Sequence, residues 1–433
     1  MKNFICLILI LICYCASGQN YTSYFTGNNS DKVTQPSGGV CLMGGASEDD
    51  EAMKWFLGQA NGGDILVLRA SGSDGYNDYM YSDLGVNVNS VETIVCHNAG
   101  SADETYIQDK ISKAEAIWFA GGDQYDYVSY WKDTPVDSLI NVALNNRKIV
   151  IGGTSAGMAI MGGYVYTGKN GSVTSAAALG NPYNSRVTID SAHFLETKFL
   201  EDVITDTHYD NPDRRGRHVT FLARILKDYG IRSKGIACDE GTAVCIGQDG
   251  IAHIYGEFPS SNDNAYFLQT NCALSDVTPE KVQSNLPLDW NKNNKALWVY
   301  KIKGTKAGIN TFDLNDWVTG NGGAWEDWYV ENGIFKNKAS TQTDCTPLAL
   351  EEIKVNNSFI FYPNPVKDDL MIRSDNSLIS SLKVFDIQGK EILNFSNVNS
   401  LKINLDLNNL NAGTYFVNVI SSDRLINTRI VKL

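Results

Sequence analysis

Between Gly39 and Gly152 the chain alternates short apolar runs with segments of helical spacing, and few folds accommodate that pattern. The runs are Gly39–Met43, Asp64–Arg69, Glu92–His97, Ala116–Ala120 and Lys148–Gly152. Between them, Glu48–Gln59, Ala102–Lys113 and Val136–Asn145 carry apolar residues at helical intervals. Uniformly apolar strands separated by helices predict βαβ units, hence an α/β fold with a mostly parallel sheet and helices on both faces. Right-handed crossovers then put the ligand crevice at the carboxyl ends of the strands. Gly44-Gly45, Gly121-Gly122 and Gly152-Gly153 all fall at such ends.

The last run leads directly into Gly153-Thr154-Ser155-Ala156-Gly157, and Met158-Ala159-Ile160-Met161 after it can start a helix. This is Gly-x-Ser-x-Gly in the strand–turn–helix setting that such a motif requires. The turn is sharp enough to demand glycine on either side of the serine. It lifts the hydroxyl above the sheet and sets the Ala156 N–H where it can meet an oxyanion. A tight structural turn and a phosphate loop are the competing readings; no lysine follows the glycines, which argues against the latter.

A serine nucleophile needs a base, and there are five histidines: His97, His193, His208, His218 and His253. His97 ends a strand-like run and His253 lies inside one, so both suit structural roles. His193 and His218 have no distinguishing context. His208 lies in a polar, turn-rich segment, Ile204 to Arg217, after an apolar stretch near Phe194–Val203 that reads as a helix. Charged loops on a rigid scaffold are where catalytic groups concentrate.

The ends of the chain read differently. Met1-Lys2-Asn3, an apolar run to Cys15 and small residues to Gln19 predict a secretory signal peptide over 1–19, too short to span a bilayer. Ile12 and Tyr14 precede Cys13 and Cys15, so lipid attachment is not expected. A polar linker is expected at 346–356. After it, short alternating runs at Phe359–Tyr362, Asp369–Arg373, Leu382–Ile387, Lys402–Leu407, Thr414–Ile420 and Thr428–Leu433 predict a small all-β sandwich over 357–433. The net charge is −13; Lys2 adds one positive charge in the signal and the segment from 351 onward is balanced, so 20–350 carries about −14. That acidity argues against nucleic acid and anionic membranes as partners.

Of nine cysteines, Cys6, Cys13 and Cys15 fall in the signal. Cys41, Cys238 and Cys245 lie in apolar runs, where buried free thiols are common. Cys272 and Cys345 lie in polar segments suited to a disulfide in an exported protein. No pair has zinc-ligand spacing, so neither metal nor cofactor is expected, and no cysteine occupies the turn of a cysteine amidotransferase. Trp290, Trp298, Trp317, Trp325 and Trp328 cluster among glycines. Core packing in an extension of the main sheet is favoured over a carbohydrate platform.

Two resemblances follow. Tyr362-Pro363-Asn364-Pro365-Val366, Val384 to Lys390, Leu405, Leu407, Leu410, Ala412 to Val417 and Val431-Lys432-Leu433 resemble the C-terminal sorting domain of type IX secretion substrates. This implies the type IX machinery as a partner and a secreted or surface location. Gly44-Gly45, Phe119 to Gln124, Gly152 to Gly157, Asp206-Thr207-His208 with Arg215-Gly216-Arg217, and Ala237 to Ala243 resemble the cyanophycinase-like serine peptidases. Those share a flavodoxin-like, class I glutamine amidotransferase-like fold, here over about 37–257 of a 20–345 domain. The resemblance makes Ser155 the nucleophile and His208 its base. It gives Gly122, Asp123 and Ala156 as backbone donors near the oxyanion, and Gln124, Arg215 and Arg217 as substrate contacts. Surface ion pairs are the alternative for the arginines. Glu240 is chosen to orient His208, with Asp206 next and beside the substrate site. Thr207 replaces a family glutamine, and three extra residues separate His208 from Arg215, so strict cyanophycin specificity does not carry over.

The implied activity is hydrolysis of Asp-containing or β-Asp-Arg peptides, including as an exopeptidase, through an acyl-enzyme. A non-catalytic binding protein, suggested by the acid-free stretch from Ala156 to Ile189, and a glycan-binding adhesin are the alternatives. The oligomeric state is left open, a dimer included.

Overall fold

A computed structural model describes residues 19–190, 194–342, 345, 359–374, 378–386, 389–421 and 424–433. Most of the expected signal (1–18), the expected linker (346–356) and His193 lie outside the described residues. The chain divides into two compact units between Leu348 and Ala349.

The first unit is built on a ten-stranded sheet. Its centre is the expected parallel set, in the order Ser90–Cys96, Asp64–Arg69, Ala116–Phe119, Val150–Thr154, Gly39–Met43. The first of these strands in the chain therefore lies beside the last, bringing Gly44-Gly45 next to Ser155. Alternate residues feed two cores. Leu42, Leu68, Phe119 and Ile151 pack on one face, and Cys41, Val67, Trp118 and Val150 on the other. Burial on both faces is why these strands are apolar throughout rather than alternating. Helices Thr105–Lys113, Gln124–Trp131 and Pro135–Val142 contribute to the first core and Asp50–Gln59 to the second.

Antiparallel strands extend this sheet at both edges. Tyr21–Gly27 pairs with Ser90–Cys96; Ala243–Ile246, Ile251–Tyr255, Asn310–Asp313 and Gly320–Asn321 continue from Gly39–Met43.

A second, six-stranded sheet begins with a parallel pair, Val203–Asp206 and Lys234–Cys238. It continues antiparallel through Asn264–Thr270, Leu297–Lys303, Gly323–Glu331 and Ile334–Ala339. Ile236, Cys238, Ala265 and Phe267 join the first core. The opposite face packs with helix Arg215–Tyr229 through Val219, Phe221 and Leu222. The tryptophan-rich segment belongs here. Trp290, Trp298, Trp317 and Trp328 are buried, and Trp325 stacks on Trp298 at 3.5 Å. Burial of these rings is core packing, as favoured from the sequence. Cys272 and Cys345 are joined as a disulfide.

One expectation fails locally. Residues 194–202 are turns, not helix, and the strand Val203–Asp206 follows. Phe199 sits at φ 70°, which a helix does not admit, and the Thr197 hydroxyl donates to the Met161 carbonyl.

The second unit holds a three-stranded sheet, Phe359–Tyr362, Asp369–Ser374, Lys402–Asp406, and a four-stranded one, Glu391–Ser400, Ile379–Asp386, Gly413–Ser421, Arg424–Lys432. They share a core of Val366, Leu370, Ile372, Leu382, Val384, Leu405, Val417 and Val419. Glu391–Ser400 is not among the expected strands. It is an edge strand with few buried residues, so it lacks a clean period-two pattern.

Candidate active site

Ser155 separates the Val150–Thr154 strand from a single helical turn, Ala156–Ala159. Its backbone takes φ 52°, ψ −112°, a sparsely populated conformation that only a well-determined surrounding sustains. The flanking glycines are obligatory on contact grounds. A Cβ on Gly157 would lie 2.1 Å from the Phe119 carbonyl oxygen, and one on Gly153 would lie 2.6 Å from the Gly157 carbonyl carbon. As the first helical residue, Ala156 has an N–H with no intrahelical acceptor. With one turn of helix behind it, it acts through that local N–H rather than through a long helix dipole.

The Ser155 hydroxyl lies 2.8 Å from His208 Nε2. His208 Nδ1 lies 2.6 Å from Glu240 Oε1. A carboxylate only accepts, so Nδ1 carries the proton and Nε2 accepts from the serine. His208 follows the Val203–Asp206 strand and Glu240 follows Lys234–Cys238, the parallel pair of the second sheet. Glu240 is held from two further directions: its N–H donates to Asp210 Oδ1 at 3.0 Å, and Asn211 donates to its other oxygen at 3.4 Å. The His208 bond holds the Glu240 carboxyl below its ordinary pKa, which keeps it an acceptor.

The glycines after the first strand shape the seat of the histidine. His208 N–H donates to the Gly44 carbonyl at 2.8 Å. Gly45 is at φ 106°, and a Cβ there would lie 2.5 Å from His208 Nε2. Gly45→Ala is therefore expected to displace the imidazole. Activity should fall by about 100-fold or more, the scale of a 1 Å misplacement, with a smaller change in Tm. Steady-state kinetics beside thermal melting checks this.

Ser155 and His208 open on a cavity of about 360 Å³. Gly122, Asp123, Gln124, Tyr166, Gly168, Ser172, Asp206, Thr207, Arg214 and Arg217 also line it. Gly121 reaches the serine, since a Cβ on it would lie 3.6 Å from Ser155 Cβ. The Asp123 carboxylate caps the Gln124–Trp131 helix, accepting from Tyr125 N–H at 2.9 Å. Gln124 donates to the Tyr166 carbonyl at 3.3 Å.

The arginines divide differently from the sequence expectation. Arg217 and Asp206, 3% and 2% exposed, form a bidentate pair at 2.9 and 2.5 Å. The remaining Arg217 nitrogen donates to Ser172 Oγ and the Val173 carbonyl. With its fork so engaged, Arg217 is a brace for the Ser172-Val173 wall rather than a free carboxylate receptor. Asp206 is turned to that arginine rather than to His208. Burial alone would raise the Asp206 pKa, but the Arg217 charge and hydrogen bonds bring it below the ordinary value. Arg215 lies outside the cavity lining and pairs with Asp213 at 2.9 and 2.6 Å. Arg214 takes the cavity position instead. It donates to the Thr207 carbonyl at 3.0 Å, and no carboxylate engages it among the described residues. Its place in an Arg-Arg pair hid which of the two turns inward.

The other described histidines make contacts elsewhere. His218 is fully buried between the Tyr209 hydroxyl and the Ile204 carbonyl, both at 3.2 Å, and burial lowers it to about 4. His253 meets the Gly308 carbonyl at 2.9 Å, and His97 meets Thr22 at 2.9 Å.

Beside Glu240, Asp239 is 3% exposed and accepts from Asn264 N–H at 3.1 Å and Nδ2 at 2.7 Å, leaving Oδ1 buried without a partner. Burial pushes it up to about 7. A carboxyl whose folded pKa exceeds its unfolded value of about 3.9 contributes stability below that value and loses it as pH rises through about 7. Asp239→Asn should remove this loss. Its Tm should exceed that of the wild type at pH 8 and approach it at pH 4, as read by calorimetry.

The chain is similar to known proteins in both of its units. Residues 69–254 match the model of peptidase family S51, and residues 360–433 match a secretion system C-terminal sorting domain. A cyanophycinase of Trichormus variabilis is 24% identical over 228 residues, 50% of this chain and 70% of that protein. One of Geminocystis herdmanii is 28% identical over 229 residues, 50% of this chain and 77% of its own. A solved peptidase from an acI-B1 Actinobacterium aligns over 64% of this chain and 98% of its own, with 14% identity and a TM-score of 0.41.

Proposed function

We propose, for a chain that carries a peptidase family S51 domain and a C-terminal sorting domain for type IX secretion to the cell surface or beyond, that it is a serine-type peptidase acting on acidic peptides. The observation that carries this reading is the unbroken relay from Ser155 through His208 to Glu240 at the mouth of a cavity containing Arg214. Ser155 Oγ attacks the scissile carbonyl as His208 Nε2 takes its proton, and Glu240 stabilises the imidazolium. The Gly122, Asp123 and Ala156 amides support the oxyanion. His208 then protonates the leaving amine. A water, deprotonated by the same nitrogen, cleaves the acyl-enzyme.

Arg214 supports an Asp-containing or β-Asp-Arg substrate, because a guanidinium without a carboxylate partner suits a side-chain or terminal carboxylate. Arg214→Met should lower kcat/KM for such peptides about 10- to 100-fold, the worth of one charge-assisted hydrogen bond. Peptides carrying Asn in place of Asp should be little affected.

The non-catalytic alternative rested on the lack of an acid soon after Ser155. Glu240, 2.6 Å from His208 Nδ1, supports an acid supplied from elsewhere in the chain instead. The purified full chain should hydrolyse Asp-containing peptides, and a serine-directed phosphonate should label Ser155 in the wild type but not in His208→Ala. Hydrolysis that persists in Ser155→Ala would overturn the proposal. Secretion with signal removal near residue 19 is read from the N-terminal sequence of the exported protein.

A further inference from the structure

We propose that Cys41 and Cys245 are oxidised to a second disulfide in the exported protein, stapling the strand that runs into Gly44-Gly45 to the strand that leaves the Glu240 turn. The inference rests on strand geometry and on export, not on the peptidase reading.

Cys41 and Cys245 stand directly opposite each other where Gly39–Met43 pairs antiparallel with Ala243–Ile246. The bond from Gly44 N–H to the Thr242 carbonyl at 2.9 Å makes Gly44 and Thr242 a hydrogen-bonded pair. Pair types alternate along an antiparallel ladder, so Cys41 and Cys245 form a non-hydrogen-bonded pair, the type that brings opposed side chains closest. Their sulfurs lie 3.6 Å apart. Forming a bond of about 2.05 Å needs an approach of about 1.5 Å, well within side-chain rotation and small strand adjustment.

Two further observations give the pair a setting. The same unit already contains the Cys272–Cys345 disulfide, and the sorting domain takes the chain out of the reducing cytoplasm. Both Cys41 and Cys245 are fully buried in the folded unit. Oxidation therefore belongs to folding, before the strand is covered. The oxidant is the disulfide of a thiol–disulfide exchange protein. One cysteine thiolate attacks that disulfide and expels a donor thiolate. The other then attacks the mixed disulfide, forming Sγ–Sγ and expelling the second donor thiolate. The donor gains two electrons and the two thiol protons.

The bond would join the two segments that seat the histidine and carry its acid. Gly45 underlies His208, and Gly241 N–H donates back to the Gly45 carbonyl at 3.1 Å.

The test uses the full exported chain, denatured in iodoacetamide without reductant and mapped by mass spectrometry. The expected result is a linked Cys41–Cys245 peptide pair beside Cys272–Cys345, with alkyl groups on Cys96 and Cys238 only. Alkylation of Cys41 and Cys245, so that all four of these thiols carry the label, overturns the proposal. As a second measurement, wild type should lose more Tm on reduction than Cys41→Ala/Cys245→Ala, whose remaining loss belongs to Cys272–Cys345. Equal losses also overturn it.

Discussion

Ser155→Ala is expected to lower kcat by about 10⁵- to 10⁶-fold, because the residues of a serine relay act as one unit. His208→Ala should cost about as much, and the double variant scarcely more than either alone. Glu240→Gln should cost less, about 10³- to 10⁴-fold, since it keeps the shape of the side chain but favours the wrong imidazole tautomer. The Glu240 side chain is 28% exposed, which puts the lower end of that range in reach. Single-turnover kinetics on an Asp-containing peptide separates these values, with circular dichroism showing that the fold is kept. Strict additivity of the Ser155 and His208 effects would mean that the two do not work together.

The second large effect concerns stability. Asp206 and Arg217 are a buried bidentate pair, and removing one partner strands a charge in the interior. Arg217→Met or Asp206→Ala should cost about 3–5 kcal/mol, measured by urea unfolding. The double variant Asp206→Ala/Arg217→Met should recover part of that loss, because an apolar pair leaves no stranded charge. Either single change should also loosen the Ser172-Val173 wall and raise KM. The pH dependence has a definite sign. The Asp206 pKa is depressed in the folded protein, so its contribution is present above about 3.9 and lost as pH falls through the lower folded value. A steep acid unfolding limb in the wild type should therefore be shallower in the double variant.

How much of this was legible follows from which residues report their surroundings. Strands buried on both faces, such as Asp64–Arg69, declare themselves by composition, and Gly153 and Gly157 declare the turn because no Cβ fits. His208 stands out locally by its polar, turn-rich segment and Glu240 only by motif order, and nothing local marks the two as neighbours across 32 positions. The second sheet was not legible as such. Its antiparallel strands beyond residue 258 carry mixed polar and aromatic residues whose pairing is set by distant neighbours. Nor could sequence separate Arg214 from Arg215. They are adjacent cations at the start of one helix, and the Asp213 carboxylate, by engaging Arg215, leaves Arg214 as the one facing the cavity. The Asp206–Arg217 pair was hidden too: from sequence Asp206 reads as an alternative acid for His208 and Arg217 as a substrate contact or a surface ion pair, and only the fold buries them against each other.

Ser155 stands at the carboxyl end of a central strand of one sheet, while His208 and Glu240 follow the parallel pair of another. A chain with only the ten-stranded sheet in place would hold a serine with nothing to deprotonate it. In a refolding experiment, turnover should appear with the docking of the second sheet, later than the helical signal of the first.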